Sequence, residues 1–179
     1  MRFNVYLVFI CLLSSCQSSQ QEHAFNPESK MKEKQVSVEP RKRNSEIQLA
    51  GHPIQFYLQH QRIPKLIKDV YKGTINPNEE YACYEYMDSL FSSDKETQAF
   101  YFLTITKTMA LADGAYAEVL SLAAKDYVVK RTGDFLHYFN HETLLTEYDL
   151  DQWSANVCME LSLNDDYEQN LNQLIRQMK

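Results

Sequence analysis

Proline and glycine are scarce in this sequence, and their scarcity limits the folds open to it. The chain has four glycines and five prolines, and no proline follows Pro77. A β-sandwich needs turn signals about every 8–12 residues, which the sequence beyond Pro77 does not supply. Long helices joined by short turns are therefore expected over most of the chain.

Common catalytic motifs are also missing. The sequence has no glycine-rich phosphate loop and no Gly-x-Ser-x-Gly nucleophile motif, and it lacks the three-motif set of penicillin-binding proteins. Each of these patterns places a reactive group on a turn that needs glycine, or beside a second catalytic group. We therefore expect a protein without catalytic residues and without a cofactor.

Basic residues are outnumbered by acidic ones. The formal net charge at pH 7 is -6, and residues 47–179 contain eleven basic and nineteen acidic residues. Such a surface repels the phosphates of nucleic acids and of anionic lipid headgroups. Nucleic-acid binding is excluded on this ground.

An apolar run near the N-terminus is too short to span a bilayer. It extends from Val5 to Leu13 and follows the basic residue Arg2. A membrane-spanning helix needs about twenty apolar residues. The length and the basic flank are instead typical of the hydrophobic region of a secretory signal peptide.

The run ends in Leu13-Ser14-Ser15-Cys16, which resembles the lipobox of bacterial lipoproteins: an aliphatic residue, two small residues and a cysteine. The resemblance implies that residues 1–15 are a signal peptide that is removed. It also implies that Cys16 carries several acyl chains, palmitate included, and anchors the protein to the membrane of the cell envelope. Residue 17 is Gln rather than the Asp of the best-known inner-membrane retention signal. The outer membrane is therefore the expected location if the cell has one.

The residues that follow Cys16 are predicted to form a spacer. Residues 17–46 are rich in Gln, Ser, Glu and Lys, with six basic and five acidic side chains and few apolar ones. Such a composition buries too little apolar surface to offset chain entropy, so a disordered tether is expected over 16–46. The remaining residues, 47–179, have the length of one domain.

Apolar residues recur at helical spacing through this domain. Ile63, Ile67 and Val70 mark one stripe, with Gly73 just past its end. Six further helices are expected. One begins at Pro77, one covers 94–112 after a Ser93–Glu96 capping box, and one covers 115–131. The last three begin at Thr132, after an Asp149 cap and after an Asn164 cap. Residues 53–60 fit either a strand or a helical turn. The expected fold is all-α, with about six or seven helices in a bundle or a short α-solenoid-like stack.

Two cysteines remain in the predicted domain, Cys83 and Cys158, each on the apolar stripe of a predicted helix. In an oxidising envelope compartment they are a candidate disulfide. Two buried free thiols that pack as small apolar side chains are the alternative. The sequence does not decide between them.

Glu118, His137 and His141 are the candidates for a chemical site. His137 and His141 stand four residues apart, a spacing that can hold zinc when a third ligand is present. Their helix is expected to end near Phe139 or Asn140, which separates the rings, so no metal site is expected. Glu118 is interpreted either as a buried acid with a raised pKa or as a residue that is exposed or paired, for instance with Lys107 or Lys125.

The chain is rich in tyrosine, and three tyrosines crowd one predicted helix: Tyr81, Tyr84 and Tyr86. Tyrosine is favoured at protein interfaces, although it also occupies the boundary of small cores. Tyr81, Glu85 and Asp88 are the candidate contact surface for a protein partner.

These features predict an anchored, non-enzymatic domain that binds another protein of the envelope. In general terms it is similar to envelope immunity proteins and to accessory subunits of envelope complexes. The alternative is a small-ligand-binding or hydrolytic protein with a site around Glu118, His137 and His141.

Overall fold

The computed structural model describes residues 47–79, 87–163 and 167–177, which form an all-α fold with one small two-stranded sheet. The prediction of an all-α domain is confirmed. In chain order the elements are β1 (Gln48–Leu49), β2 (His52–Pro53), α1 (Ile54–Gln59), α2 (Lys65–Tyr71), α3 (Gln98–Thr108), a 3-10 helix (Met109–Leu111), α4 (Gly114–Lys130), α5 (Thr132–His141), α6 (Glu147–Ser162) and α7 (Tyr167–Gln177). Residues 87–90 are also helical.

The domain opens with a tight hairpin. β1 and β2 pair antiparallel, with Leu49 opposite His52. Ala50 and Gly51 join them with φ angles of 47° and 81°, both in the left-handed region. Two consecutive positive φ angles define the type I′ turn that matches the twist of a hairpin. The strand or helical turn expected over 53–60 is helical from Ile54 onward.

The core forms around α3. Nine of its eleven residues are buried, all except Gln98 and Lys107. A helix buried on all sides lies at the centre of a fold, as its apolar composition predicts. The 3-10 helix continues α3, and α2, α4, α5 and α6 pack around it as in a helical bundle.

The aromatic centre of this core is Trp153 of α6, which is fully buried. Its ring stacks on Phe102 of α3 at a centroid distance of 5.1 Å and contacts Phe135 of α5 at 5.2 Å. Its Nε1 donates a hydrogen bond to Thr106 Oγ1 at 2.9 Å. One side chain thus ties three helices together and satisfies its own polar atom.

The N-terminus of α6 differs from the prediction. Thr146 is the N-cap, and Asp149 is the third helical residue of a reciprocal capping box. Asp149 N donates to Thr146 Oγ1 at 3.3 Å, and Thr146 N donates to Asp149 Oδ2 at 2.8 Å. Asp149 therefore does not occupy the N-cap position itself. The predicted cap of α7, Asn164, lies outside the described residues.

Two further predicted helix starts are wrong. At Pro77 the chain turns instead, because the Asn76 side chain accepts a hydrogen bond from Asn78 N at 3.1 Å and the Asn76 carbonyl accepts one from Glu79 N. The predicted Ser93–Glu96 capping box does not form, and α3 begins only at Gln98.

The side chains around Ser93 show why no capping box forms there. Asp94 Oδ1 accepts a hydrogen bond from Glu96 N, and Arg62 binds the carboxylates of both Asp94 and Glu96. Glu96 is therefore engaged with another segment of the chain. A turn over 95–97 then precedes the helix.

Candidate functional site

Glu118 is an exposed residue of α4, so its interpretation as a buried acid is wrong and the exposed alternative is confirmed. The two lysines suggested as its partners bind other carboxylates. Lys107 Nζ contacts Asp149 Oδ2 at 2.6 Å, and Lys125 Nζ contacts Glu160 Oε1 at 3.0 Å. Both lysines reach from the core helices toward carboxylates of α6.

Glu118 borders a shallow cavity of about 300 Å³ between the N-terminal half of α4 and the C-terminal end of α6. We call this cavity the α4–α6 groove; its lining residues are Glu118, Val119, Leu122, Met159, Glu160 and Leu163. Four of the six are apolar. The two histidines of the predicted site are not among them.

The apolar side chains of the groove are unusually exposed. Leu163 is 67% exposed, Leu122 49% and Met159 37%. An exposed leucine on its own needs no explanation, but several that share one depression form an apolar patch. Patches of this kind mark contact surfaces for proteins or ligands.

The helical register places these residues outside. In α4 the buried face carries Tyr116, Leu120 and Ala124, and Leu122 lies two residues from Leu120, on the other side of the helix. In α6, Met159 falls between the buried residues Val157 and Leu161. The groove therefore forms from apolar residues that lie off the core stripes of their helices.

The two helices that form the groove are held together by buried contacts. The Oγ of Ser121 lies 3.1 Å from Asn156 Oδ1, and Ser121 has no exposed surface. Further along, the ring of Tyr127 lies 5.6 Å from that of Trp153. Tyr127 lies later in α4 than Ser121, whereas Trp153 lies earlier in α6 than Asn156, so the two helices run antiparallel.

One end of the groove is negative. Glu160 is neutralised by Lys125, but Glu118 is exposed on the opposite wall. The last turn of α6 contains no basic residue, and Leu163 is its C-cap. A helix C-terminus carries about half a negative charge. The first turn of the antiparallel α4, which carries the opposite partial charge, lies beside that end, so the negative charge next to the apolar surface comes from Glu118.

The histidine pair is arranged differently from the prediction. α5 continues through His141, because Glu142 N still donates to the Tyr138 carbonyl at 2.9 Å. The rings of His137 and His141 consequently stack at a centroid distance of 4.6 Å. Both residues are exposed. Within the described residues, no group of three or more His, Cys, Asp or Glu side chains could hold a metal ion.

A second cavity, of about 420 Å³, lies between α2 and α3. Lys107 and Thr108 line it, and both are already paired inside the protein. Lys107 binds Asp149, and the Thr108 hydroxyl lies 2.7 Å from the Tyr116 hydroxyl. These groups stabilise the fold, so we do not assign the cavity a ligand.

The predicted partner surface falls largely outside the described residues. Tyr81 and Glu85 lie outside them, and Asp88 is exposed. This surface stays a prediction.

Other tyrosines are core residues: Tyr57, Tyr101, Tyr116, Tyr127 and Tyr138 are buried. Burial raises the pKa of Tyr57 to about 12, with a smaller contribution from the negative charge of Glu142. It raises the pKa of Tyr127 and Tyr138 well above the usual range. These five tyrosines therefore pack the core and offer no contact surface.

Cys158 of α6 is buried and disulfide-bonded. It is the only cysteine among the described residues, so its partner lies outside them. Cys83 also lies outside them. The Cys83–Cys158 pairing stays a prediction.

The predicted anchor also lies outside the described residues, since Cys16 and the tether precede residue 47. Among the helices that the structure describes, none combines the length and apolarity needed to cross a bilayer. The lipid anchor at Cys16 stays a prediction from the lipobox.

The fold and the site define an all-α domain that exposes an apolar groove with a negative end. No protein-family model, curated protein or solved structure matches the chain.

Sequence reasoning missed the groove. The available signal was the presence of Leu122, Met159 and Leu163 off the apolar stripes of their helices. Periodicity identifies such residues as exceptions, but it does not show that exceptions on two distant helices meet in space.

Proposed function

We propose that this protein is a lipid-anchored domain of the cell envelope that binds another protein through the α4–α6 groove. The observation that carries the proposal is the exposed apolar surface of the groove, formed by Leu122, Met159 and Leu163. Burying apolar surface drives most protein association. The proposed partner is either the protein that this chain would neutralise as an immunity-type protein or another subunit of an envelope complex.

The shape of the groove supports a protein partner over a small ligand. Small-molecule sites enclose most of the ligand surface and combine apolar walls with a few convergent polar groups. The α4–α6 groove is shallow, and Glu160, one of its two carboxylates, is taken up by Lys125. A shallow apolar surface suits the side chains of a larger partner.

The predicted anchor supports the proposal because it would keep the domain near the membrane, where it would encounter the partner. The lipobox-like Leu13-Ser14-Ser15-Cys16 implies acyl chains on Cys16, which is followed by thirty mostly polar residues, 17–46. A flexible chain of that length has a typical reach of roughly 30 Å. The domain therefore searches a volume close to the membrane, which raises the effective concentration of a membrane-associated partner.

The test is chemical cross-linking of the full-length protein in its own membranes, followed by affinity capture and mass spectrometry. One protein captured in near-equal amount is expected from the wild type. Leu122→Ser should reduce that capture about tenfold, as expected for a central apolar contact. Leu111→Ser is the matched control, because Leu111 is 62% exposed but lies outside the groove. Equal capture by both variants would reject the groove as the binding site.

The anchor is tested separately by metabolic labelling with palmitate. Wild-type protein should incorporate the label and fractionate with the envelope membranes, whereas Cys16→Ser should do neither. Incorporation of label into Cys16→Ser would show that another residue is acylated, and the lipobox interpretation would then be wrong.

A further inference from the structure

The backbone of the groove limits what conformation can occupy it. Both walls are helices, α4 and α6, so the groove offers no sheet edge to which an extended peptide could add as a strand. A helix satisfies its own backbone groups internally and can present apolar side chains to a groove. These walls therefore favour a helical occupant.

The dimensions of the groove fit one to two turns of such a helix. Val119 and Leu122 span about 4.5 Å along α4, and Met159 and Leu163 span about 6 Å along α6, at 1.5 Å per residue. Apolar side chains at positions i and i+4 of a docked helix are separated by a similar distance. Two apolar side chains from the occupant would cover the exposed surface.

The charges of the groove favour an occupant that carries a positive charge. Glu118 is exposed, and the C-terminus of α6 ends beside it without a basic residue in its last turn. Lys125 is committed to Glu160 and does not compensate them. A cation at this end of the occupant would gain from the carboxylate of Glu118.

Resting on the proposed function, we infer that the partner inserts a basic amphipathic helix into the α4–α6 groove. Its apolar face covers Leu122, Met159 and Leu163, and a Lys or Arg near one end meets Glu118. A second copy of this domain fits less well, because residues 47–179 carry an excess of acidic side chains and two copies repel.

The first experiment identifies what occupies the groove. A benzophenone amino acid replaces Leu122 in the full-length chain, which is irradiated in its own membranes, and the adduct peptide is sequenced by mass spectrometry. The control carries the same probe at Lys65 of α2, whose side chain is 90% exposed. The expected adduct, formed at position 122 and not at 65, is a peptide of another protein with apolar residues at i, i+3 and i+4 and a nearby Lys or Arg.

The second experiment tests the charge. Glu118→Lys should reduce the adduct yield at position 122 about fivefold, because it places a positive charge opposite the Lys or Arg of the partner, and like charges at an interface repel and slow association. Glu147→Lys is the matched control: Glu147 is also exposed but lies in the first turn of α6, about 24 Å along the helix from Leu163. The control variant should keep the yield within about twofold of the wild type.

Different failures reject different claims. An adduct with another protein that is acidic or extended, or a yield insensitive to Glu118→Lys, rejects the basic helix and leaves the protein-binding function standing. An adduct with residues 17–46, with lipid or with a second copy of this chain also rejects the inference, because it names another occupant. No adduct with any protein rejects the proposed function as well.

Discussion

The carboxylate of Asp149 makes several polar contacts within the protein. Its Oδ2 accepts from Lys107 Nζ at 2.6 Å, from Thr146 N at 2.8 Å and from Thr146 Oγ1 at 2.7 Å, and its side chain is 6% exposed. One atom therefore caps α6 and holds it to α3. Its removal breaks one half of the capping box and leaves the Lys107 ammonium group without its carboxylate.

Asp149→Ala should lower the free energy of unfolding by about 2–3 kcal/mol, the sum of a lost cap and a broken, half-buried ion pair. Urea unfolding followed by circular dichroism measures the change. The control is Asp126→Ala, which breaks the more exposed Lys130–Asp126 pair and should cost less than about 0.5 kcal/mol. Equal losses in the two variants would show that the capping network contributes no more than a surface pair.

Ala50 occupies a backbone conformation that suits other residues better. Its φ of 47° lies in the left-handed region, at the first central position of the hairpin turn. Asn is strongly preferred there, because its short polar side chain tolerates this conformation. Ala50→Asn should therefore raise the free energy of unfolding by about 0.5–1 kcal/mol. Gly51→Ala, at φ 81°, should lower it, and thermal unfolding of both variants tests the turn.

At the scale of elements, the close contact between α4 and α6 depends on small side chains. Ala124 has no exposed surface, and Ser121, one turn earlier, is also fully buried against α6. Ala124→Leu should destabilise the protein by about 1–3 kcal/mol, because a larger side chain overpacks the interface. Ala115→Leu is the matched control on the exposed side of α4 and should change stability by less than about 0.5 kcal/mol. Urea midpoints of the two variants should therefore differ clearly.

The helices with strong apolar periodicity were predictable from sequence. The expected stripes for α2, α4, α5 and α6 correspond to helices, and Gly73 follows α2 with a positive φ. The errors lie at helix ends. Asp94 and Glu96 bind Arg62, which comes from a distant part of the chain. This tertiary contact replaces the capping box that the local sequence around Ser93 favours.

The candidate site was less predictable than the fold. The spacing of four residues places Glu118 and Leu122 on one side of α4, but it does not predict their neighbours from α6. The groove depends on how α4 and α6 are rotated against each other, which long-range contacts such as Ser121 with Asn156 determine. A single sequence carries no direct signal of such contacts.

At the scale of the whole molecule, the buried tyrosines make stability depend on alkaline pH. The folded-state pKa of Tyr57 is raised to about 12, and that of Tyr127 and Tyr138 is raised further. An unfolded tyrosine has a pKa of about 10. The neutral phenols thus stabilise the fold fully below about pH 10, and the stabilisation is lost as the pH rises through 12.

We expect the free energy of unfolding to fall steeply above about pH 10, by up to about 1.4 kcal/mol per pH unit for each buried tyrosine. Urea unfolding at a series of alkaline pH values measures it. Tyr57→Phe removes one titrating group, along with the Tyr57 hydrogen bond to the Leu49 carbonyl, and should make the decline shallower. A flat profile over this range would contradict the burial of these phenols.

We propose that this acidic helical domain is tethered to a membrane through Cys16 and holds a partner in one apolar groove. The two proposals are separable: the anchor can be absent without affecting the groove, and the groove can bind a partner other than a basic helix. Coverage of the groove in the native membrane is the claim on which the function depends.

Oxidation of Met159 by dilute hydrogen peroxide tests that claim most directly. Met159 lines the groove and is 37% exposed, whereas Met87 and Met109 are buried and serve as internal references. With a partner in the groove, Met159 should oxidise about threefold or more slowly in native membranes than in the purified protein, since susceptibility follows exposure. Leu122→Ser should restore the faster rate. Equal rates of Met159 oxidation in membranes and in the purified protein would show that the groove is uncovered, and the proposed function would be wrong.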